Sequence, residues 1–238
     1  MRPWSQLMSR ALVLVAPICL SAQSPAPTSS YAILARDPLT GEYGVAAASH
    51  APLIGMNLEF LEPDVGGVVA LGGPLIEVSQ KILVALSDGL APDRAVAIGL
   101  YGNTEQESRQ ILAISPAGAA VFSGKKLEKR AEHRTGENFV AAGYHLTGKG
   151  VLAAMEVAFL ANDGALSDRL LLALQAGRDA GSEADVAHSA ALLVVAPSAR
   201  MATRNRLTEL RIDFVANDAV AALATLRAQV DSVYEIVR

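Results

Sequence analysis

The chain has 238 residues, of which 51% are hydrophobic, and its 24 acidic and 20 basic residues give a formal net charge of -4. A mildly acidic chain lacks the basic surface that attracts nucleic acid or an anionic membrane, so neither is expected as its main partner. Its single cysteine, Cys19, excludes an intrachain disulfide framework.

The first 22 residues are predicted to be a secretory signal peptide. Arg2 and Arg10 precede an uncharged run of ten residues, Ala11 to Leu20, and small and polar residues follow it up to Ala22. A membrane-spanning helix needs about 20 apolar residues, so no span is expected here or elsewhere in the chain. The alternative, a core or amphipathic helix, is disfavoured by Pro17. Export to the periplasm or the extracellular space is therefore expected.

Residues 23–29 are predicted to be a Pro/Ser linker, and residues 30–238 a single domain. Cleavage after Ala22 removes Arg2, Arg10 and Cys19, so the mature chain has 18 basic and 24 acidic residues, a net charge of -6 and no cysteine. Ile18 before Cys19 argues against a lipid anchor, since a small residue normally stands there. A cysteine nucleophile or cysteine metal site is excluded from the mature domain.

The first half of the domain is rich in strand signals. Tyr31 to Arg36 and Tyr43 to Ser49 are apolar runs separated by a turn sequence, Asp37-Pro-Leu-Thr-Gly41, which predicts a β-hairpin. Gly66 to Leu71 is a further strand. Helices are predicted after Pro74, with Gly89 as the stop, and over Pro92 to Leu100. A second hairpin is predicted from three segments: Arg109 to Ser115, the turn Pro116-Ala-Gly118 and Ala119 to Ser123.

In the second half, Phe139 to Tyr144 is a strand candidate, and two apolar stripes predict helices around Val151 to Phe159 and Leu166 to Leu174. Ser189 to Ala196 predicts a strand buried on both faces, and Glu209 to Val215 another strand. A terminal helix is predicted over Ala219 to Val230. Leu170, Leu174, Leu193 and Val195 are expected in the core. The basic stretch Lys125 to Arg134 contains Glu128 and Glu132, which favours a solvated connecting segment.

Strands therefore come first and helices are grouped, which indicates an α+β fold with a largely antiparallel sheet. Five segments in order also resemble the family of domains of unknown function numbered 1028, which opens with sequences such as TFSIVARD and GELGVAVAS. They are Ser30 to Asp37, Gly41 to Ser49, Leu166 to Gly177, Ser189 to Val195 and Glu209 to Asp213. The resemblance implies the four-layer αββα sandwich of the amino-terminal-nucleophile (Ntn) hydrolases.

The same resemblance places Ser30 at the position of an Ntn nucleophile. Such enzymes use the first residue of the mature chain, and its own α-amine acts as the base. Cleavage after Ala22 leaves seven residues, Gln23 to Ser29, before Ser30. Ser30 is then either a catalytic residue exposed by a second cleavage or an ordinary serine at the end of the linker.

Four other polar residues are candidates for substrate binding. Arg36 suits a carboxylate anchor, or else it partners Asp37 in a turn. Ser49 and His50 follow the second strand, where His50 is a candidate general base or a structural residue. His188 precedes Ser189, where family members commonly carry Gln-Ser. Tyr144-His145 and Ala70-Leu71-Gly72 also replace the Gly-Asn and Ala-Thr-Gln of many relatives.

His145, His188, Glu183 and Asp185 supply metal-ligand chemistry, but no pair has the spacing of a known metal motif. No metal and no cofactor is expected. Two functions stay open. One is an exported Ntn-type amidohydrolase acting on a small amide or peptide-like substrate through Ser30. The other is a catalytically inert protein of the cell envelope that binds a small ligand or a partner, with self-association as a further expectation.

Overall fold

A computed structural model describes residues 29–58, 60–127, 131–181, 187–200 and 206–236. The predicted signal peptide and residues 23–28 of the predicted linker lie outside these ranges, as do Glu183 and Asp185. Within these ranges the protein is a mixed α+β structure, and all of its strand pairings are antiparallel. The α+β prediction is confirmed.

Ten strands and five α-helices are found in the described residues. The strands are β1 (Ser30–Arg36), β2 (Tyr43–Ser49), β3 (Leu61–Glu62), β4 (Gly66–Leu71), β5 (Gln110–Ser115), β6 (Gly118–Ser123), β7 (Glu132–Thr135), β8 (Phe139–Tyr144), β9 (Ser189–Val195) and β10 (Arg206–Ile212). The helices are α1 (Ile76–Ser87), α2 (Pro92–Leu100), α3 (Val151–Leu160), α4 (Leu166–Asp179) and α5 (Ala219–Ile236). None of these helices is long and apolar enough to cross a membrane.

The strands form two sheets, one in the order β10-β9-β2-β1-β8-β7 and one in the order β3-β4-β5-β6. The predicted hairpin is confirmed, because β1 and β2 pair along their full length from Ser30 opposite Ser49 to Arg36 opposite Tyr43. The turn that joins them forms because Asp37 Oδ1 accepts hydrogen bonds from the backbone N–H groups of Leu39 and Thr40, at 2.8 and 3.2 Å.

The chain departs from the sequence-based prediction in three strands. β10 begins and ends three residues earlier than the predicted strand Glu209 to Val215. β3 is a two-residue strand that carries no strand signal. β7 begins within the stretch Lys125 to Arg134, which was predicted to be a solvated connecting segment, and it ends one residue beyond that stretch. Its four residues are all exposed. An exposed edge strand has no alternating apolar pattern in its sequence. β7 is held in the sheet by its backbone pairing with β8.

Three apolar clusters hold the elements together. The first joins one face of the first sheet to α3, α4 and α5 and contains Leu170 and Leu174, which are both 0% exposed. The second lies between the two sheets and contains Leu193 and Val195, which are 5% and 2% exposed. The third joins the second sheet to α1 and α2. The four predicted core residues are confirmed.

Central strands rich in alanine and glycine let α4 pack closely on the first sheet. A Cβ added to Gly44 of β2 would lie 2.5 Å from Leu170 Cδ1, a distance that atoms in contact do not reach. Leu170 is therefore seated directly on the β2 backbone. Further along α4, a Cβ on Gly177 would lie 3.0 Å from the Tyr31 ring, so the helix follows β1 toward its beginning.

Candidate functional site

A row of hydroxyl groups crosses one end of the first sheet. The strand register places Ser30 opposite both Ser49 and Tyr144, and Ser49 opposite Ser189. Successive side chains of a strand point to opposite faces, and the alternate residues Ala32, Ala47 and Ala191 belong to the cluster between the sheets. The four hydroxyls therefore lie on the face of the first sheet that meets the second sheet.

The hydrogen bonds of this row have a defined direction. Ser49 Oγ donates to the Ser29 carbonyl at 3.1 Å and accepts from the Ala51 N–H at 3.0 Å. A serine has one hydroxyl proton, so in its 2.7 Å contact with Ser49, Ser30 must be the donor. In the 3.3 Å contact between Tyr144 and Ser30, Tyr144 is then the donor.

The result is a chain of donors that runs from Tyr144 to Ser30, from Ser30 to Ser49, and from Ser49 to the Ser29 carbonyl. All three side chains are buried, with exposures of 6%, 3% and 2% respectively. A buried hydroxyl that both donates and accepts keeps its orientation, because breaking either bond leaves a buried polar group unpaired and costs free energy. Ser30 Oγ therefore has a fixed orientation.

Ser189, at the end of the row, has a structural role. Its hydroxyl donates to the Ala51 carbonyl at 2.6 Å and accepts from the Ile54 N–H at 3.2 Å. These bonds hold the loop that follows β2, together with the short 3-10 helix Ile54–Asn57, against the beginning of β9. Ser189 is thus a support for the loop that leaves Ser49.

Unusual backbone conformations flank both ends of the row. His145, directly after Tyr144, has a φ of 55°, and Leu53, in the loop that Ser189 holds, has a φ of 66°. Residues with a Cβ seldom adopt this left-handed region, and such strain is concentrated at functional sites. The row therefore has the backbone features as well as the polar groups of a candidate site.

The two histidines that follow Ser49 and precede Ser189 are adjacent to each other. Their ring centroids are 4.7 Å apart, and the His188 ring lies 5.5 Å from that of Phe214. His188 Nδ1 is 2.8 Å from the Val215 carbonyl, which can only accept, so Nδ1 carries the proton. Among the described residues, neither imidazole is hydrogen-bonded to Ser30 or Ser49, and a general base needs that reach.

Arg36 lies at the opposite end of β1, six residues and therefore about 20 Å from Ser30. Its neighbour there is Tyr43, and the positive charge of Arg36 lowers the pKa of the tyrosine hydroxyl. The strongest influence on the same pKa is burial, which raises it, so that the Tyr43 pKa stays above its usual value of 10.0. Asp37 contacts Arg169 at 3.8 Å instead of Arg36.

The structure thus brings together Ser30, Ser49, His50 and His188 and separates them from Arg36. His145 and His188 stand at the ends of β8 and β9, three strand spacings or about 14 Å apart across the sheet. Within the described ranges no three His, Cys, Asp or Glu side chains converge as a metal-binding group. Two surface grooves, on α1 with α2 and on α3 with α4, contain no residue of the hydroxyl row.

Tyr144 was not predicted as a partner of Ser30. It ends a predicted strand, as Ser49 does, and both strand limits were correct. The order of the strands in the sheet could not be predicted, because β1 and β8 are neighbours in the sheet although their paired residues are more than 100 positions apart in the chain. A polar residue at the end of each apolar run was the available signal.

The fold and the row define an α+β protein with two antiparallel sheets and a hydroxyl site at one end of the first sheet. A family model described as a family of unknown function (DUF1028) matches residues 30–223. The chain belongs to this family.

The crystal structure of protein SPO2555 from Silicibacter pomeroyi, of the same family, has 31% sequence identity and a TM-score of 0.76. The match covers 84% of this chain and 85% of that one. Thiobacillus denitrificans BPH, alone and in complex with epoxomicin, matches with 16% and 14% identity and a TM-score of 0.35 in both cases, covering 71% of this chain and 98% and 99% of those chains. No curated protein gives a significant match.

Proposed function

We propose that this protein is an exported amidohydrolase of the Ntn type, which acts on a small amide or peptide-like substrate with Ser30 as its nucleophile. The three apolar clusters support a four-layer αββα arrangement, because they lie in turn between helices and the first sheet, between the two sheets, and between the second sheet and helices. Ser30 stands at the start of β1 on the face between the sheets.

The observation that carries the proposal is the pair of buried hydroxyls within hydrogen-bond distance of Ser30 Oγ, Ser49 at 2.7 Å and Tyr144 at 3.3 Å. In a chain that begins at Ser30 the Ser29 carbonyl no longer takes the Ser49 proton, so Ser49 and Tyr144 can both donate to Ser30 Oγ, and the Ser30 proton is free to pass to the α-amine. A donor directed at Ser30 Oγ stabilises the negative charge that develops there as the proton leaves.

In the proposed reaction Ser30 Oγ forms a bond to the substrate carbonyl carbon while its proton passes to the Ser30 α-amine. The tetrahedral intermediate then breaks its carbon–nitrogen bond, and the ammonium of Ser30 gives the proton to the leaving amine. Water hydrolyses the resulting ester and restores the Ser30 hydroxyl. The amine must be free for this cycle, since an amide nitrogen is not a base.

A second candidate function, a catalytically inert binding protein of the cell envelope, is favoured by the position of Ser29. Ser29 is 6% exposed, and its carbonyl accepts hydrogen bonds from the His50 N–H at 3.0 Å and from Ser49 at 3.1 Å. While the peptide bond between Ser29 and Ser30 is intact, the chain of hydroxyl donors ends at the Ser29 carbonyl and contains no base. The difference between the two functions is therefore the bond between Ser29 and Ser30.

Amino-terminal sequencing of the protein purified from its native host tests the proposal. The amidohydrolase requires trimming of the Pro/Ser linker, so the expected first residue is Ser30. A homogeneous start at Gln23 would confirm signal-peptide removal but eliminate Ser30 as an Ntn nucleophile, and it would favour the binding protein. A start at Met1 would overturn export as well.

A further inference from the structure

Three flat rings lie side by side at the end of the first sheet, outside the hydroxyl row. His50 follows β2, His188 precedes β9 and Phe214 follows β10, so three neighbouring strands bring them together. The His188 ring stands in the middle, 4.7 Å from His50 and 5.5 Å from Phe214. Both imidazoles are half-buried, and Phe214 is 66% exposed.

The position and the tautomer of His188 are fixed by Val215. His188 Nδ1 donates to the Val215 carbonyl at 2.8 Å, and the Val215 N–H donates back to the His188 carbonyl, also at 2.8 Å. The lone pair of the neutral ring is therefore on Nε2. Histidine ligands of metals typically donate their other ring N–H to a carbonyl or carboxylate, which orients the ring and raises its basicity.

The separation of the two imidazoles is compatible with a shared ion. A metal about 2.1 Å from a nitrogen of each ring places the ring centroids about 4.6 Å apart at a ligand–metal–ligand angle of about 90°, and about 5.3 Å apart at about 109°. The observed separation is 4.7 Å. The observed centroid separation is thus closest to the value for an angle of about 90°.

We propose that His50 and His188 bind one divalent late first-row transition ion, such as Ni²⁺, Cu²⁺ or Zn²⁺, with water at the remaining positions. Two neutral imidazoles suit these ions, whereas Mg²⁺ and Ca²⁺ prefer oxygen ligands. The nearby Asp213 carboxylate is held by Arg211 at 2.9 Å and is not assigned as a ligand. The proposal is independent of Ser30 chemistry.

Isothermal titration of the tag-free mature protein with Ni²⁺ tests the site. We expect binding of one ion per chain, with affinity lowered at least tenfold in His50→Ala and in His188→Ala. His133→Ala is the matched control, because His133 is exposed and lies on β7, at the far edge of the sheet. Affinity should be unchanged in His133→Ala and in Ser30→Ala.

His188→Ala also removes the hydrogen bond to Val215, so His50→Gln serves as a second variant that leaves His188 intact. Sub-stoichiometric Ni²⁺ should broaden the imidazole NMR signals of His50 and His188 before those of His133 and His145. Absence of saturable binding, equal loss in His133→Ala, or full affinity in both His50 variants would overturn the proposal and leave the rings as an ordinary packing contact.

Discussion

At one end of the β1–β2 pair, Ser30 and Ser49 face each other as neutral hydroxyls 2.7 Å apart, with Tyr144 as a further donor. At the other end, about 20 Å away, the polar groups are charged. There Arg36 neighbours Tyr43, and Asp37 contacts Arg169 at 3.8 Å. Both ends follow from polar residues that border the same two apolar strands.

The bonds made at each end indicate different roles. At the charged end, Asp37 Oδ1 closes the turn, and the Arg169 guanidinium lies over the Phe159 ring, 4.2 Å from its centroid. These groups join the turn to α3 and α4 and stabilise the fold. At the hydroxyl end the bonds form a directed chain through Ser30. Chemistry is expected at that end alone.

The largest expected effect is on covalent reaction at Ser30. In protein that begins at Ser30, we expect p-nitrophenyl acetate to acetylate Ser30, and Ser30→Ala to reduce the rate by about a thousandfold or more, because the nucleophile is lost. Intact mass and peptide mapping measure the reaction. Arg36→Ala is the control from the charged end and should leave the rate within about twofold. Equal rates in Ser30→Ala and the native protein would exclude Ser30 as the nucleophile.

The second effect concerns the packing beneath the hydroxyl end. Leu174 is 0% exposed, and its carbonyl lies 3.5 Å from the hydroxyl of Tyr31, the residue after Ser30. Leu174→Ala should lower the free energy of unfolding by about 2 to 5 kcal/mol, measured by reversible denaturant titration. Leu172→Ala on the same helix, where the side chain is 40% exposed, should cost about 0.5 kcal/mol. A loss below that in Leu174→Ala would show that this part of α4 does not support the sheet.

The third effect distinguishes the roles of two buried tyrosines, Tyr144 at the hydroxyl end and Tyr43 at the charged end. Tyr144→Phe removes the donor to Ser30 Oγ, and a hydrogen bond to a group that develops charge is worth about 1.5 to 3 kcal/mol, so acetylation should slow about 10- to 100-fold. Tyr43→Phe makes the same chemical change at the charged end and should leave the rate unaltered. Similar slowing in both variants would indicate loss of packing rather than loss of the donor.

The sequence predicted both strands of the hairpin and the polar residues that border them, because burial and turn chemistry are local properties. It also placed Ser30 at the start of the first strand and Ser49 and His50 at the end of the second, and it named His188 only as the residue before Ser189. It could not distinguish the two ends functionally. That distinction depends on the pairing of β8 with β1 and on which hydroxyl donates to which, and both follow from tertiary contacts.

The adjacency of His50 and His188 is a second feature that depends on tertiary contacts and could not be predicted from the sequence. Their sequence neighbours Ser49 and Ser189 are paired across β2 and β9, yet the two residues are more than 130 positions apart in the chain. Charge and spacing alone gave His188 no partner. The edge strands β3 and β7 were missed because neither has an apolar pattern, since short or exposed strands are held by pairing rather than by burial.

The smallest effect is a pH dependence that originates at the charged end. Burial raises the pKa of Tyr43 above 10.0, the nearby Asp64 raises it further, and Arg36 opposes both through its positive charge. Below pH 10 the phenol is neutral in the folded and the unfolded chain, so its contribution to stability is fully present. As the pH rises from about 10 toward the folded-state pKa, only the unfolded chain releases this proton, and stability falls by up to about 1.4 kcal/mol per pH unit.

Denaturant titrations at pH 9, 10 and 11 should therefore show a steeper loss of stability in the native protein than in Tyr43→Phe. In this comparison the effects of the other tyrosines and the lysines cancel. Tyr144→Phe provides the reference from the hydroxyl end. Equal losses of stability in the native protein and in Tyr43→Phe would mean that Tyr43 ionises equally well in the folded and the unfolded chain. The pKa of Tyr43 would then not be raised by folding.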